Sequence, residues 1–130
     1  MPKIEVSSSK KQQMIDITGE INRIVADSGV KEGVCIVFVP HTTAAVTINE
    51  NADPDVVHDV IKKLLEVTSD ANYRHAECNS DAHVTSTIVG ASETLIIEDN
   101  RLVLGTWQGI MFIEFDGPRK RTVYIKIIKG

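Results

Sequence analysis

The sequence predicts an α+β domain, and three observations lead to that class. Apolar residues recur with helical spacing over residues 18–28 and 54–67. Short β-branched runs precede these segments, and four more strand-like runs, separated by turn residues, fill the last third of the chain. Strands, two or three helices and a closing antiparallel run are typical of α+β rather than of alternating βα units. The length of 130 residues predicts one domain, over residues 1–130.

The composition is that of an ordinary globular protein, with 42% hydrophobic and 25% charged residues. A net charge of −4 argues against a general nucleic-acid binder but leaves room for a local basic pocket. No basic-then-apolar leader opens the chain, and no apolar run approaches the ~20 residues of a membrane helix. The two cysteines are too few for a disulfide framework, and Cys35 is predicted to be a small buried hydrophobe. Together these observations predict a cytoplasmic protein with no membrane or nucleic-acid partner.

The first elements are two short strands and a helix. Residues 3–6 and 13–17 alternate weakly between polar and apolar side chains, with SSSKK as the turn between them. Thr18 has the chemistry of an N-cap, and Gly29 is placed to end the helix that follows. The apolar positions of that helix predict one buried face.

A strand pair and a second helix come next. Residues 34–39 form a continuous β-branched and aromatic run, which predicts a strand buried on both faces. Residues 43–49 resume strand character with clear alternation. Asp53 and Pro54 then mark a helix start, as N-cap and first helical residue. His58 falls beside the apolar stripe of this helix and is predicted to lie on the surface.

The last part of the chain predicts one more helix and a meander. Asn79 or Asp81 is placed to cap a helix that carries His83 to Val89, although the β-branched residues there also suit a strand. The strands predicted after it cover residues 94–97, 101–104, 109–115 and 122–128.

Chemistry-bearing residues are densest in the stretch HAECNSDAHVTSTIVG, which begins at residue 75. Its two histidines, His75 and His83, together with His41 at a strand end, have the donor chemistry of a Zn²⁺ site with an open position. Their spacing matches no named zinc motif. The alternative is three separate histidines that bond loop carbonyls or lie on the surface.

A second group of residues suits an anionic substrate. Thr42, Thr43 and Arg119 supply hydroxyls and a guanidinium for a phosphate. Arg119 follows a Gly-Pro turn at once, so the turn aims it. Lys120 and its neighbour Arg121 are equally consistent with a solvated basic turn, which is favoured for Lys120.

Two carboxylates are candidates for acid–base work. Glu50 directly follows a predicted strand, and Glu114 interrupts the apolar run IMFIEFD. A carboxylate in such a run either points outward by strand alternation or is buried with a partner. Alternation alone favours the outward position for Glu114.

A nucleophile and a loop complete the candidates. Cys78 lies close in sequence to two histidines, but no nucleophile signature surrounds it. Trp107 and Gln108 follow Gly105, where a loop can present an aromatic face and an amide. For Trp107, packing in the core is the alternative.

Taken together, three segments resemble the YjbQ-like family of small proteins. They are HTTAAVTINENADPDV, the histidine followed by NSDAH, and RLVLGTWQGIMFIEFDGPRKR. The resemblance runs from His41 to the C-terminus and implies an α+β domain with a mixed or antiparallel sheet in a pseudo-barrel or sandwich-like arrangement, assembled as a homotrimer. It also implies a secondary thiamine-phosphate synthase, which joins a hydroxymethylpyrimidine diphosphate to a thiazole phosphate.

The resemblance further implies roles for individual residues. Metal binding, with zinc as the first candidate and magnesium as the second, falls to His41, His75 and His83. Catalysis falls to Glu50, Gln108 and Arg119. Binding of a small phosphorylated molecule falls to Thr42, Thr43, Asn79, Asp81, Ser86 and Trp107. Cys78 lies outside the pattern. The competing interpretation is a non-catalytic homotrimer that binds a metal or a small ligand.

Overall fold

The computed structural model describes residues 1–69, 73–74 and 79–130. Within these ranges the elements are, in chain order, β1 (Lys3–Ser7), β2 (Gln13–Asp16), α1 (Thr18–Ser28), β3 (Gly33–Phe38), β4 (Ala44–Glu50), α2 (Pro54–Thr68), α3 (Ser80–Val89), β5 (Ser92–Glu98), β6 (Arg101–Leu102), β7 (Gln108–Glu114) and β8 (Lys120–Lys129). The α+β class is confirmed. None of the three helices described is long and apolar enough to cross a membrane.

Two curled antiparallel sheets face each other. The larger has the strand order β1-β8-β3-β5-β6, and the smaller has the order β2-β7-β4. The main core lies between the sheets and α1, where Val37, Phe112 and Ile125 are fully buried. A smaller core around Ile113 and Phe115 lies on the other face of the smaller sheet, beneath α2 and α3. The sandwich-like arrangement therefore buries both faces of the smaller sheet.

The predicted meander is wrong. Among the strands that the structure describes, only β5 and β6 form a hairpin, because β7 pairs with β2 and β4 while β8 pairs with β1 and β3. Strand β7 is almost wholly buried, which suits the central position of a sheet covered on both faces. The SSSKK segment likewise connects the two sheets instead of turning a hairpin.

The start of α1 differs from the prediction in one detail. Thr18 is the first helical residue, and the capping position falls on Ile17, which has no capping side chain. The side chain of Asp16 accepts hydrogen bonds from the Thr18 backbone (2.9 Å) and hydroxyl (2.6 Å), so an aspartate turn takes the role predicted for threonine. Gly29 ends the helix in the left-handed region, with φ of 69°, as predicted.

Both later helices match their predicted types. Asp53 caps α2 by accepting a hydrogen bond from the Asp55 backbone at 2.9 Å, with Pro54 in the first turn. Residues 80–89 are helical, and the hydroxyls of Thr85 and Thr87 donate to carbonyls one turn earlier. Asn79 sits at the N-cap of α3, but its side chain does not cap the helix.

The outer face of the larger sheet carries exposed apolar side chains. Strand β3 was predicted to be buried on both faces, but only Cys35 and Val37 are buried, and Phe38 is 45% exposed. We call the apolar residues of this surface the outer apolar face: Val34, Ile36, Phe38, Ile96 and Ile128. Burial of Cys35 is confirmed, and it raises the pKa of the thiol to about 11.

Candidate functional site

A cavity lies between α3 and the residues that precede β4. Its volume is about 350 Å³, and we call it the histidine cavity. Its lining residues are His41, Thr42, Ala44, His83, Ser86, Thr87, Gly90 and Ala91. The fold thus brings four of the sequence-predicted site residues, His41, Thr42, His83 and Ser86, to one place.

Backbone hydrogen bonds hold the two walls of the cavity together. The Val39 N–H donates to the Ala91 carbonyl at 2.8 Å, and the Val46 N–H donates to the Gly90 carbonyl at 3.2 Å. The end of β3 and the start of β4 are therefore tied to the segment that leaves α3. Pro40, which lacks an N–H, ends the β3 ladder and lets the chain turn into the cavity wall at His41.

His41 has a defined tautomer. Its Nε2 accepts a hydrogen bond from the Thr122 N–H at 2.9 Å, so the imidazole continues the β8 ladder beyond the end of β3. Burial lowers the pKa of His41, and the positive charge of Arg121 lowers it further. The ring is consequently neutral at neutral pH, with its proton on Nδ1 as a hydrogen-bond donor.

Ser86 is a buried hydroxyl without a partner in the structure. It is 8% exposed, and its Oγ makes no hydrogen bond among the described residues. The Oδ1 of Asn79, seven residues earlier at the N-cap of α3, is also buried and has no hydrogen-bond partner among the described residues. Because buried polar atoms are nearly always hydrogen-bonded, an orphan hydroxyl in the cavity wall is a feature of a ligand or water site.

A buried ion pair underlies the cavity. Glu114 is fully buried and Arg121 is 4% exposed. The Arg121 Nε donates to both carboxylate oxygens, at 2.9 and 3.1 Å, and its Nη2 donates to the same carboxylate and to the Thr43 hydroxyl at 2.8 Å. The outward position predicted for Glu114 is wrong, because both faces of β7 are covered. Thr43 is buried with this pair, and its hydroxyl accepts a hydrogen bond from Arg121 in the protein interior.

The ion pair also supports the turn that carries Arg119. The Ser8 hydroxyl donates to Glu114 at 2.7 Å and accepts from the Arg119 N–H at 3.0 Å, while the Asp116 N–H donates to Glu114 at 3.2 Å. Burial raises the pKa of Glu114, but the hydrogen bonds from Arg121, Ser8 and the Asp116 backbone outweigh it, so the pKa is lowered. Glu114 is therefore a charged anchor rather than a proton carrier at neutral pH.

Arg119 is aimed by the turn before it, as predicted. Its Nε donates to the Asp116 carbonyl at 2.9 Å and its Nη2 donates to the Asp116 carboxylate at 3.0 Å, leaving the side chain half exposed. The same carboxylate accepts a hydrogen bond from the Asn79 side chain at 3.0 Å. Asp81 lies in the first turn of α3, two residues after Asn79.

The remaining predicted residues lie at the opposite end of the smaller sheet. Glu50 pairs with Gln108 across β4 and β7, whereas Ala44 pairs with Glu114 at the other end. Six residues along an antiparallel strand span about 20 Å, so this group does not reach the histidine cavity of its own chain. We call the two regions the tryptophan end and the histidine end.

The tryptophan end is ordered by polar contacts. The Gln108 side chain accepts a hydrogen bond from the Gly105 N–H at 2.8 Å, and the Asn51 side-chain amide donates a hydrogen bond to the Asp16 carboxylate at 2.9 Å. A side chain at Gly109 would overlap that of Asn51, so glycine is required there. Trp107 is 64% exposed, and core packing is therefore wrong for it.

The predicted metal site is only partly described. His75 and Cys78 lie outside the described residues, and within the described ranges no group of three or more His, Cys, Asp or Glu side chains is arranged to hold a metal. His41 and His83 share the cavity, but the Nε2 of His41 is occupied by Thr122. In this arrangement the proton of His41 is on Nδ1, so metal binding by His41 requires the release of Thr122, and the three-histidine metal site stays a prediction.

The sequence did not predict two sets of supporting contacts. Ser8 and the Glu114–Arg121 pair hold the site together, and Asn51 with Asp16 holds the tryptophan end. A signal for the first was present: a glutamate within one apolar run, at the end of β7, and an arginine near the start of β8. Pairing them requires knowing that both strands face the same core.

The fold and the site define the class of this protein, which is a small α+β protein. It has two facing antiparallel sheets, and a cavity lined by two histidines lies against its third helix. The profile of the family described as UPF0047 protein YjbQ-like matches residues 2–130. The chain therefore belongs to the YjbQ-like UPF0047 family.

Several relatives match along almost the whole chain. UPF0047 protein MJ1081 of Methanocaldococcus jannaschii is 50% identical over 97% of this chain and 92% of its own length. UPF0047 protein YugU of Bacillus subtilis is 48% identical, covering 96% of each. A crystal structure of a YjbQ/UPF0047 protein from Clostridium acetobutylicum superposes with a TM-score of 0.96 at 49% identity, covering 98% of this chain and 100% of that one. A similar protein from Sulfolobus solfataricus gives 0.95 at 34% identity, covering 99% and 96%.

Proposed function

We propose that the protein is an enzyme that acts on a small phosphorylated molecule in the histidine cavity, with the thiamine-phosphate synthase type of reaction that the family resemblance implies. The observation that carries the proposal is the buried Ser86 hydroxyl, which has no hydrogen-bond partner among the described residues, in a cavity shared with His41 and His83. Arg119 lies near enough for its charge to lower the pKa of His41, so a cation that can bind phosphate stands close to the same site.

The cavity has the size and chemistry of a small-molecule site. Its volume of about 350 Å³ lies at the lower end of the range for such sites. Arg119 would bind a phosphate or diphosphate, and the Nδ1–H of His41 and the hydroxyls of Thr42 and Ser86 would orient the ligand. Because the Glu114–Arg121 pair fixes the loops that carry His41 and Arg119, these donors are preorganised.

The proposed reaction exchanges one bond for another. The bond between the pyrimidine methylene carbon and the diphosphate oxygen breaks, with its electron pair leaving on the diphosphate, and the thiazole nitrogen forms a bond to that carbon. Negative charge grows on the departing oxygen, where Arg119 and the His41 donor would stabilise it. The divalent cation stays a separate proposal, with zinc first and magnesium second, since it requires His41 to release Thr122. When bound, a cation supplies further charge neutralisation to a diphosphate.

We include a homotrimer in the proposal. The outer apolar face supports self-association, because Phe38, Ile96 and Ile128 are 45%, 61% and 44% exposed on one sheet surface. The number of subunits comes from the family resemblance. A cytoplasmic location is part of the same proposal and follows from the composition.

The test is turnover by purified protein supplied with the pyrimidine diphosphate and the thiazole phosphate. The protein is chelated, then reloaded with Zn²⁺ or Mg²⁺, and its metal content is measured by elemental analysis. We expect product at a rate that depends on the protein concentration, and that rises with the metal if the cation proposal holds. Ligand binding without product under every condition would favour the non-catalytic homotrimer instead.

A further inference from the structure

We propose that the working site is shared between two copies of the chain, with the histidine end of one copy meeting the tryptophan end of the next in a head-to-tail ring. This inference rests on the homotrimer of the proposed function, and it adds the surfaces that meet and the residues that each copy contributes. Three observations carry it.

The first observation is the separation of the two polar groups within one chain. Glu50 and Gln108 lie six residues along β4 and β7 from Ala44 and Glu114, a span of about 20 Å. Both groups are ordered by hydrogen bonds, and both are open to solvent. One ligand cannot touch both ends of one chain, but a ring of identical chains places unlike ends against each other.

The second observation is the opposite charge of the two ends. Among the described residues near the histidine end, the exposed cations include Lys11, Arg119 and Lys120, and the acids beside them are Asp81 and Asp116. At the tryptophan end the described residues Asp16, Glu50, Asp53 and Asp55 carry acidic side chains. A two-fold dimer through either end would oppose like charges, whereas a head-to-tail contact pairs opposite ones.

The third observation is exposed apolar surface at both ends. Trp107 is 64% exposed and Val103 is 47% exposed at the tryptophan end. At the histidine end, Phe38 of the outer apolar face, whose strand partner Ser92 follows Ala91 of the cavity wall, is 45% exposed. Tryptophan is enriched among residues that anchor interfaces, because it buries a large area at one point. Seated on the neighbouring cavity, Trp107 would close its open side and offer an aromatic face to a heterocycle.

The test is cross-linking between engineered cysteines in the full-length protein. Thr87→Cys marks the rim of the histidine cavity and Thr106→Cys marks the tryptophan end, both at exposed positions. A Cys78→Ser background leaves buried Cys35 as the remaining native thiol. A short bis-maleimide cannot bridge the two ends of one chain. We therefore expect the doubly substituted protein to lose most of its monomer band to covalent dimer and trimer, while each single variant keeps it.

A matched control pairs Thr106→Cys with Asp27→Cys, on the exposed face of α1, and should stay monomeric on the gel. Failure of the Thr87–Thr106 pair to cross-link in an assembly that light scattering shows to be a trimer would overturn the inference, and so would a monomeric protein. The readout needs no turnover. Cross-linking by a protein that forms no product would refute the proposed reaction and leave the shared site standing.

Discussion

Replacing Arg121 by methionine is expected to lower the free energy of unfolding by about 3–5 kcal/mol at neutral pH, the range for removing one partner of a buried ion pair. The substitution leaves Glu114 charged and fully buried, with Ser8 and the Asp116 N–H as its remaining partners. It also removes the donor that holds the Thr43 hydroxyl. Urea unfolding followed by circular dichroism measures the change.

The pH dependence of that loss has a defined sign. In the native protein the pKa of Glu114 is lowered from 4.5, so its contribution to stability is fully present above pH 4.5 and is lost as pH falls through the folded value. Without Arg121, burial dominates and raises the folded pKa above that of the unfolded chain. The penalty in Arg121→Met is therefore expected to grow as pH rises above the unfolded value and to shrink on acidification.

Two controls separate the ion pair from its surroundings. Lys126→Met removes an exposed cation from the same strand, and the free energy of unfolding should change by less than about 0.5 kcal/mol. The double variant Glu114→Leu/Arg121→Met should recover much of the stability, because an apolar pair carries no desolvation cost. An Arg121→Met protein as stable as the native one would contradict the structural role of the pair.

Replacing His41 and His83 together by asparagine is expected to lower kcat/KM for the proposed reaction by at least about 100-fold, the scale of a lost proton donor. Both imidazoles line the cavity, and the Nδ1–H of His41 is available to a ligand. The fold should survive, because loss of the hydrogen bond from Thr122 costs only about 1 kcal/mol.

The matched control for the double variant is His58→Asn. His58 lies on the surface of α2 with its side chain 73% exposed, far from the cavity lining. Its replacement should leave kcat/KM within about twofold of the native value, well under 1 kcal/mol. Equal kcat/KM in the native protein, the double histidine variant and His58→Asn would show that the histidine cavity takes no part in the reaction.

Local features of the fold were predictable from the sequence, and strand pairing was not. The Asp53–Pro54 start of α2 and the end of α1 at Gly29 depend on capping and backbone conformation within a few residues. The partners of β7 and β8 depend on which faces meet in the core, and a continuous apolar run carries no such information. The prediction for Glu114 is wrong for the same reason, because the alternation of a single strand does not show what covers each of its faces.

In the candidate site too, residue types and motifs were predictable from the sequence, and contacts between distant segments were not. Ordered motifs and the family resemblance identified His41, Thr42, His83 and Ser86, which the fold does bring together. The length of β4 separates Glu50 and Gln108 from that group, and motifs of similar chemistry carry no information about this distance. The tautomer of His41 could not be predicted, because its partner is a backbone N–H from a strand 81 residues away.

We propose that the phosphorylated molecule binds in the histidine cavity, and an amide chemical-shift titration with the thiazole phosphate tests this most directly. We expect the largest shifts at Thr42, Ser86 and Arg119, with little change along α2. The larger cavity, of about 490 Å³ and floored by Met14 and Ile61, is the competing location. Shifts that cluster there, with the residues of the histidine cavity unmoved, would contradict the claim.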